Sequence, residues 1–207
     1  AGDTFDVSLE NLLSEPTMIH WHGLTPPNEF DGVPDLPMPL LKAGEARAYR
    51  FPVGDGGTHW MHAHTLQEQN LLAAPLIVRT AEDRAADEQE VVILLHDFSF
   101  TPAEELLANL KGNSSGHGGM NHDMSHMNMG NMGMNKMDMS KMMSGGGMMG
   151  GMDLNDIAYD AYLANDRTLD DPEIVKVEKG GRIRLRIING ATATGFTIAK
   201  HPAQFVA

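Results

Sequence analysis

Cysteine is absent from all 207 residues. That excludes disulfides, thiolate nucleophiles, iron–sulfur clusters and every copper or zinc site built on a thiolate. It leaves the compartment open, because an exported bacterial protein can do without disulfides. Basic residues are scarce as well: 15 Lys and Arg stand against 28 Asp and Glu, a formal net charge of −13. Nucleic acid and anionic membrane surfaces call for the opposite balance, so neither is an expected partner. No run approaches the roughly 20 apolar residues of a membrane span. The N-terminus also lacks the basic and apolar regions of a signal peptide. "AGDTFDVSLEN" starts as if inside a strand, which points to a processed or truncated start.

What is present is a chain with 42% apolar residues, enough for a sizeable core. Its length suits one large domain or two of about 100 residues each. The runs "DTFDVSLEN", "TMIHWHG", "EARAYRFPV", "THWMHAH" and "APLIVRT" are short and partly alternating, and turn-rich segments such as "VGDGG" separate them. This spacing predicts an all-β sandwich or barrel. The segment 79–90, "RTAEDRAADEQE", is charged and lacks large apolar residues, so it reads as a linker. We therefore expect a first domain over 1–82, a linker over 83–90 and a second, incomplete domain over 91–207. "VVILLHDFSF" opens that second part as a buried strand. In "GGRIRLRIING", arginine alternates with Ile183, Leu185 and Ile187, the pattern of a half-buried strand. One helix is expected over 101–112, with Thr101 as cap and Glu104 at the capping-box position.

Residues 112–152 form a low-complexity insertion of Met, Gly, Asn, Ser, Asp and His that holds thirteen of the sixteen methionines. With so few residues able to build a core, it is expected to stay disordered.

The chemistry concentrates in two His-x-His pairs, His20 with His22 and His62 with His64. On a strand, residues i and i+2 point to one face about 6.5–7 Å apart. Such a pair is too wide for one easily shared ion and well placed for neighbouring metals. Two such strands side by side aim four imidazoles into one space. Imidazole without carboxylate or thiolate favours copper, zinc, iron or nickel, the later metals of the series above all.

These residues also carry a resemblance. "IHWHG", "DGVP", "GTHWMHAH" and "LQEQ…APLIV" resemble the N-terminal domain of multicopper oxidases, closest to the bacterial laccase-like and copper-resistance branch. "EVVILLHDFSF" and "RIRLRIINGATATGF" resemble that family's second cupredoxin domain. The resemblance implies cupredoxin-like Greek-key β-sandwich domains. It implies that His20 binds a type 2 copper, that His22 and His62 share one type 3 copper and that His64 binds the other. Asp31, in "FDGVP", matches an acidic residue that assists proton delivery, against the plainer reading of a turn-forming Asp before Gly. His59 stands where relatives carry tyrosine and is read as a supporting or surface residue facing away from the pairs. Trp21 and Trp60 are read as packing residues of parity opposite to their histidine pairs, and His96 and His201 as ordinary.

The implied activity couples one-electron oxidation of a substrate, Cu(I) or a phenol-like donor, to reduction of dioxygen to water. A type 1 copper needs a thiolate that this chain does not have, and eight histidines complete the family's trinuclear cluster. The chain is thus expected to be the N-terminal portion of a longer oxidase, inactive by itself and partnered by a C-terminal cupredoxin domain. The copper-resistance likeness implies a periplasmic or otherwise exported location. Met120, His122, Met124, His126, Met127 and Met129 offer soft donors for weak Cu(I) sites. They sustain an alternative, a non-enzymatic copper-binding protein that uses the Met-rich segment.

Overall fold

The computed structural model describes residues 1–114 and 157–198. β1 (Thr4–Glu10) alternates strictly, turning Phe5, Val7 and Leu9 to one side. It pairs antiparallel with β3 (Ala46–Pro52), so that Phe5 meets Phe51 and Val7 meets Tyr49. β2 (Ile19–His22), β4 (Gly57–Ala63) and β5 (Ala73–Val78) form a second sheet in the order β2-β4-β5, also antiparallel. The inner faces of the two sheets close on one core of Ile19, Trp21, Leu24, Tyr49, Phe51, Ala63 and Val78. Trp21 is its keystone: its ring meets Phe5 edge-on at 4.7 Å and Tyr49 at 5.2 Å. Burying one such side chain contributes about 1.5–3 kcal/mol. The odd-numbered side of β2 is thereby committed to the core, and its even-numbered side, which carries the histidines, faces the other way.

Every strand expected before residue 80 forms. The expected linker is more structured than its composition suggests. Thr80 caps a short helix α1 (Ala81–Ala85) in a reciprocal box with Asp83. β6 (Gln89–Phe98) then begins, flanked by antiparallel β7 (Ala161–Ala164) and parallel β8 (Ile183–Asn189). α2 runs over Ala103–Ser114, two residues later than the cap pattern predicts. Among the described residues, 1–104 and 158–198 group by their contacts into one compact unit, and 105–114 and 157 fall outside it. Among the described residues no helix is long and apolar enough to cross a membrane.

β8 is a half-buried strand, but its arginine face is the inner one. Arg186 is 8% exposed, while Leu185 is 58% exposed. Arg186 Nε meets Glu90 Oε2 at 2.6 Å, its Nη2 meets Asp83 Oδ2 at 3.3 Å, and its Nη1 donates to Thr58 Oγ1. Arg184 pairs with Asp83 and with Glu88. Burial pushes the Glu90 carboxyl up, but hydrogen bonds and charge from Arg186 and Arg79 outweigh it and hold it below the ordinary carboxylate range. Asp83, Glu88 and Glu90 are thus spent on the arginines of β8. The opposite, apolar face of this sheet, with Val91, Ile93 and Leu95, borders an open groove of about 540 Å³.

Candidate metal centre

Register builds the site. β2 and β4 place His20 directly opposite His62, and His22 opposite Trp60. Directly opposed residues share a face, so alternation puts His20, His22, Trp60 and His62 together. His64 lies one residue past β4, held in line because its backbone N–H donates to Met18 O at 2.8 Å. The ring of His20 stands 5.4 Å from each of His22, His62 and His64. Nitrogens of His20, His22 and His62 all fall within 4.8 Å of one another, and His64 stands alongside.

Each ring is aimed by its other nitrogen. His20 Nδ1 donates to the Asp31 carbonyl at 2.6 Å, and His64 Nδ1 to the Gly32 carbonyl at 3.2 Å. One turn therefore orients two imidazoles from different strands. Gly32 makes that possible: its φ is +82°, and a Cβ there would lie 2.0 Å from Ile19 O. His62 Nδ1 faces both the Ala63 carbonyl at 3.1 Å and Glu68 Oε1 at 3.0 Å. A proton held on Nδ1 leaves Nε2 with a lone pair, the neutral form that ligates metal. His22 is the exception. Its Nδ1 points at His62 Nε2 from 3.4 Å. Two nitrogens that close would fit as neighbouring donors to one ion. Burial lowers the His22 pKa first, and neighbouring His20 and His62 lower it further, so the ring stays neutral near pH 7. The donor set is all imidazole, which suits copper. His22 and His64 are exposed, so the cluster opens to solvent.

Asp31 Oδ1 lies 3.5 Å from His20 Nδ1, its closer contact being the backbone carbonyl. Trp60 corrects an expectation. It precedes His62 by two residues, so alternation places it on the histidine face, where its ring stacks on His62 at 4.2 Å and on His22 at 5.1 Å. Trp21 packs in the core as expected. His59 is neither a ligand nor a surface residue. It wedges under Gly23 and Gly57, with Nε2 buried and unpartnered, and burial lowers its pKa. His96 is 2% exposed with neither ring nitrogen partnered. Met120, His122, Met124, His126, Met127, Met129 and His201 lie outside the described residues. Glu68 was not singled out by motif reasoning, although it sits inside the quoted "LQEQ". The signal was a carboxylate one short turn beyond a ligand-type pair.

The chain resembles known proteins in sequence and in fold. Residues 1–83 match the family model described as multicopper oxidase. Over 199 residues the chain is 32% identical to multicopper oxidase MmcO of Mycobacterium tuberculosis, covering 96% of this chain and 37% of that protein. It is 30% identical over 203 residues to a copper resistance protein A homolog of Pseudomonas syringae pv. tomato, covering 95% of this chain and 34% of that one. The chain thus spans about a third of the length of these curated relatives. The blue copper oxidase of Nitrosomonas europaea superposes with a TM-score of 0.58 over 92% of this chain and 49% of its own. At 22% identity that likeness speaks for the fold alone, an all-β, cupredoxin-like one. Sandwich, histidine pairs and sequence likeness agree, and this chain belongs to the multicopper oxidase family.

Proposed function

We propose that this chain supplies one wall of a trinuclear copper centre in an oxidase that couples one-electron oxidation of a substrate to the reduction of dioxygen to water. The observation that carries the reading is the 3.4 Å approach of His22 Nδ1 to His62 Nε2, two ring nitrogens spaced for one ion. In this reading His22 and His62 hold one type 3 copper, His64 the other and His20 the type 2 copper. Copper bound there supplies the one-electron chemistry and the affinity for dioxygen. The chain's own part is to fix the rings through Asp31, Gly32, Ala63 and Glu68, and to place the Asp31 carboxylate beside His20 as a relay for protons.

The solvent-open side of the cluster is where a C-terminal cupredoxin domain of the same polypeptide brings the remaining ligands. That domain also brings the type 1 copper, whose thiolate this chain lacks. By itself the chain is then inactive. Its division at 83–90, an exported location and a substrate that is either Cu(I) or a phenol-like donor belong to the same proposal. The test is dioxygen consumption and copper content of the complete polypeptide. His62→Ala abolishes consumption and lowers bound copper, and undiminished activity in that variant refutes the reading. The Met-rich composition of 112–152 favours a second reading, copper binding without catalysis. It predicts Cu(I) binding that is lost on deleting 116–152 and indifferent to the four histidines.

A further inference from the structure

Three of the four imidazoles turn Nδ1 toward a backbone carbonyl, two of these in the Asp31–Gly32 turn and one at Ala63. His62 has the closest carboxylate at Nδ1, Glu68 Oε1 at 3.0 Å, against 3.5 Å from Asp31 Oδ1 to His20 Nδ1. Glu68 ends the 3₁₀ turn Leu66–Glu68, so it reaches back across the chain reversal that follows the second histidine pair. Among the described residues its only ion-pair partner is His62, so no lysine or arginine diverts it. His62 is also the most enclosed ring of the four, stacked on Trp60 at 4.2 Å and facing His22 on its other nitrogen.

We propose that Glu68 is a positioning residue for the metal centre, holding the Nδ1 proton of His62 so that its Nε2 lone pair faces the ion shared with His22. The proposal rests on the reading that His22 and His62 share an ion. The Ala63 carbonyl at 3.1 Å competes for the same proton. A charge-assisted bond to a carboxylate is about twice as strong as a neutral one, so Glu68 dominates the pair. A carboxylate behind a ligating imidazole fixes its tautomer and raises its basicity.

The turn that carries Glu68 is itself anchored from far along the chain. Its next residue, Gln69, accepts a hydrogen bond from the Thr192 hydroxyl at 2.8 Å. Thr192 N donates in turn to the buried Asp97 carboxylate at 3.0 Å. The 190s loop thereby holds the turn against the histidine face, and a residue outside 1–83 bears on the ring of His62.

The experiment uses the full-length protein in two states. In the metal-free protein, nitrogen-15 NMR of the histidine rings reads the tautomer of His62 directly. Cu(II) titration then reads affinity. Wild type shows the Nδ1–H form. Glu68→Leu mixes the tautomers and weakens Cu(II) binding about 10–100-fold, the range for loss of such a partner. Glu68→Gln keeps an acceptor but not the charge, so it keeps the tautomer and weakens Cu(II) binding less than Leu does. An unchanged tautomer or unchanged affinity in Glu68→Leu overturns the proposal, because the Ala63 carbonyl then suffices. If the leucine variant does not fold, wild-type affinity in Glu68→Gln overturns it instead. His62→Ala separates the two readings. Should it leave Cu(II) affinity untouched, the shared-ion reading fails, while the tautomer measurement still judges Glu68.

Discussion

Gly32 and Gly44 make a matched pair for a substitution test. Both have positive φ, +82° and +75°, so an alanine at either position takes on the left-handed penalty of about 1–2 kcal/mol. Around Gly44 nothing lies within 4 Å of where a Cβ would stand. At Gly32 that Cβ would sit 2.0 Å from Ile19 O and 2.8 Å from His20 Cα, both backbone atoms of β2. To reach even a tight 3.0 Å contact, turn and strand must separate by about 1 Å. The 2.6 Å bond from His20 Nδ1 to Asp31 O then stretches to about 3.6 Å, which is no longer a hydrogen bond. Gly44→Ala should therefore cost about 1–2 kcal/mol and leave metal binding alone. Gly32→Ala should cost about 3–5 kcal/mol, strain and lost contacts combined, and weaken metal binding as well. Denaturant melts of both variants, with Cu(II) titration of the folded protein, decide the matter. Equal stability losses, or unimpaired Cu(II) binding in Gly32→Ala, would show that the close approach of turn and strand does not aim the rings.

Three further outcomes follow from buried groups. Asp97 accepts hydrogen bonds from Thr192 N, Thr192 Oγ1, Ala193 N and Thr194 Oγ1. Burial alone would raise its pKa, but these donors, Thr194 foremost, hold it below the ordinary value. Its stabilising share is therefore complete above the unfolded value of about 3.9 and fades as pH falls through the lower native one. Asp97→Ala should lose about 3–5 kcal/mol at pH 7 and flatten the acid limb of a stability profile. Arg186→Ala takes from Glu90 the buried one of its two arginine partners, leaving the exposed Arg79, and should cost about 2–3 kcal/mol. The exposed Arg50–Asp6 pair, at 2.6 Å, should yield under about 1 kcal/mol in Arg50→Ala, and similar losses in chemical denaturation would refute the contrast. His96→Leu removes two buried, unpartnered nitrogens, so its melting temperature should match or exceed that of wild type.

The strands of the first eighty residues were legible because their apolar residues alternate and glycine or proline turns bound them. The two histidine pairs were legible for the same reason, since period-two spacing states which side chains share a face. Counted correctly, that rule also places Trp60 with His62. β8 shows its limit. Alternation announced two faces of Ile183–Asn189, but which one turns inward was decided by Asp83, Glu88 and Glu90, more than ninety residues earlier. The short β7 carries too little pattern to announce itself, and α1 is too short to show a helical period. In the site, the orienting atoms are mostly backbone carbonyls of Asp31, Gly32 and Ala63. Side-chain motifs do not report carbonyls, and Glu68 was hidden by the turn that brings it back.

The ladder between β2 and β4 has one more consequence. β2 contributes two donors, β4 one and the residue just past it the fourth, and the two strands lie some forty residues apart in the chain. A slip of one residue would set Met61 or Ala63 opposite His20 and send one histidine pair to the core side. The cluster therefore acts as a checksum on strand alignment. An ion held by all four rings would fit only the correct pairing, and its binding would therefore penalise every misaligned sheet. Strand alignment and ligand geometry are thus one requirement, met or missed together.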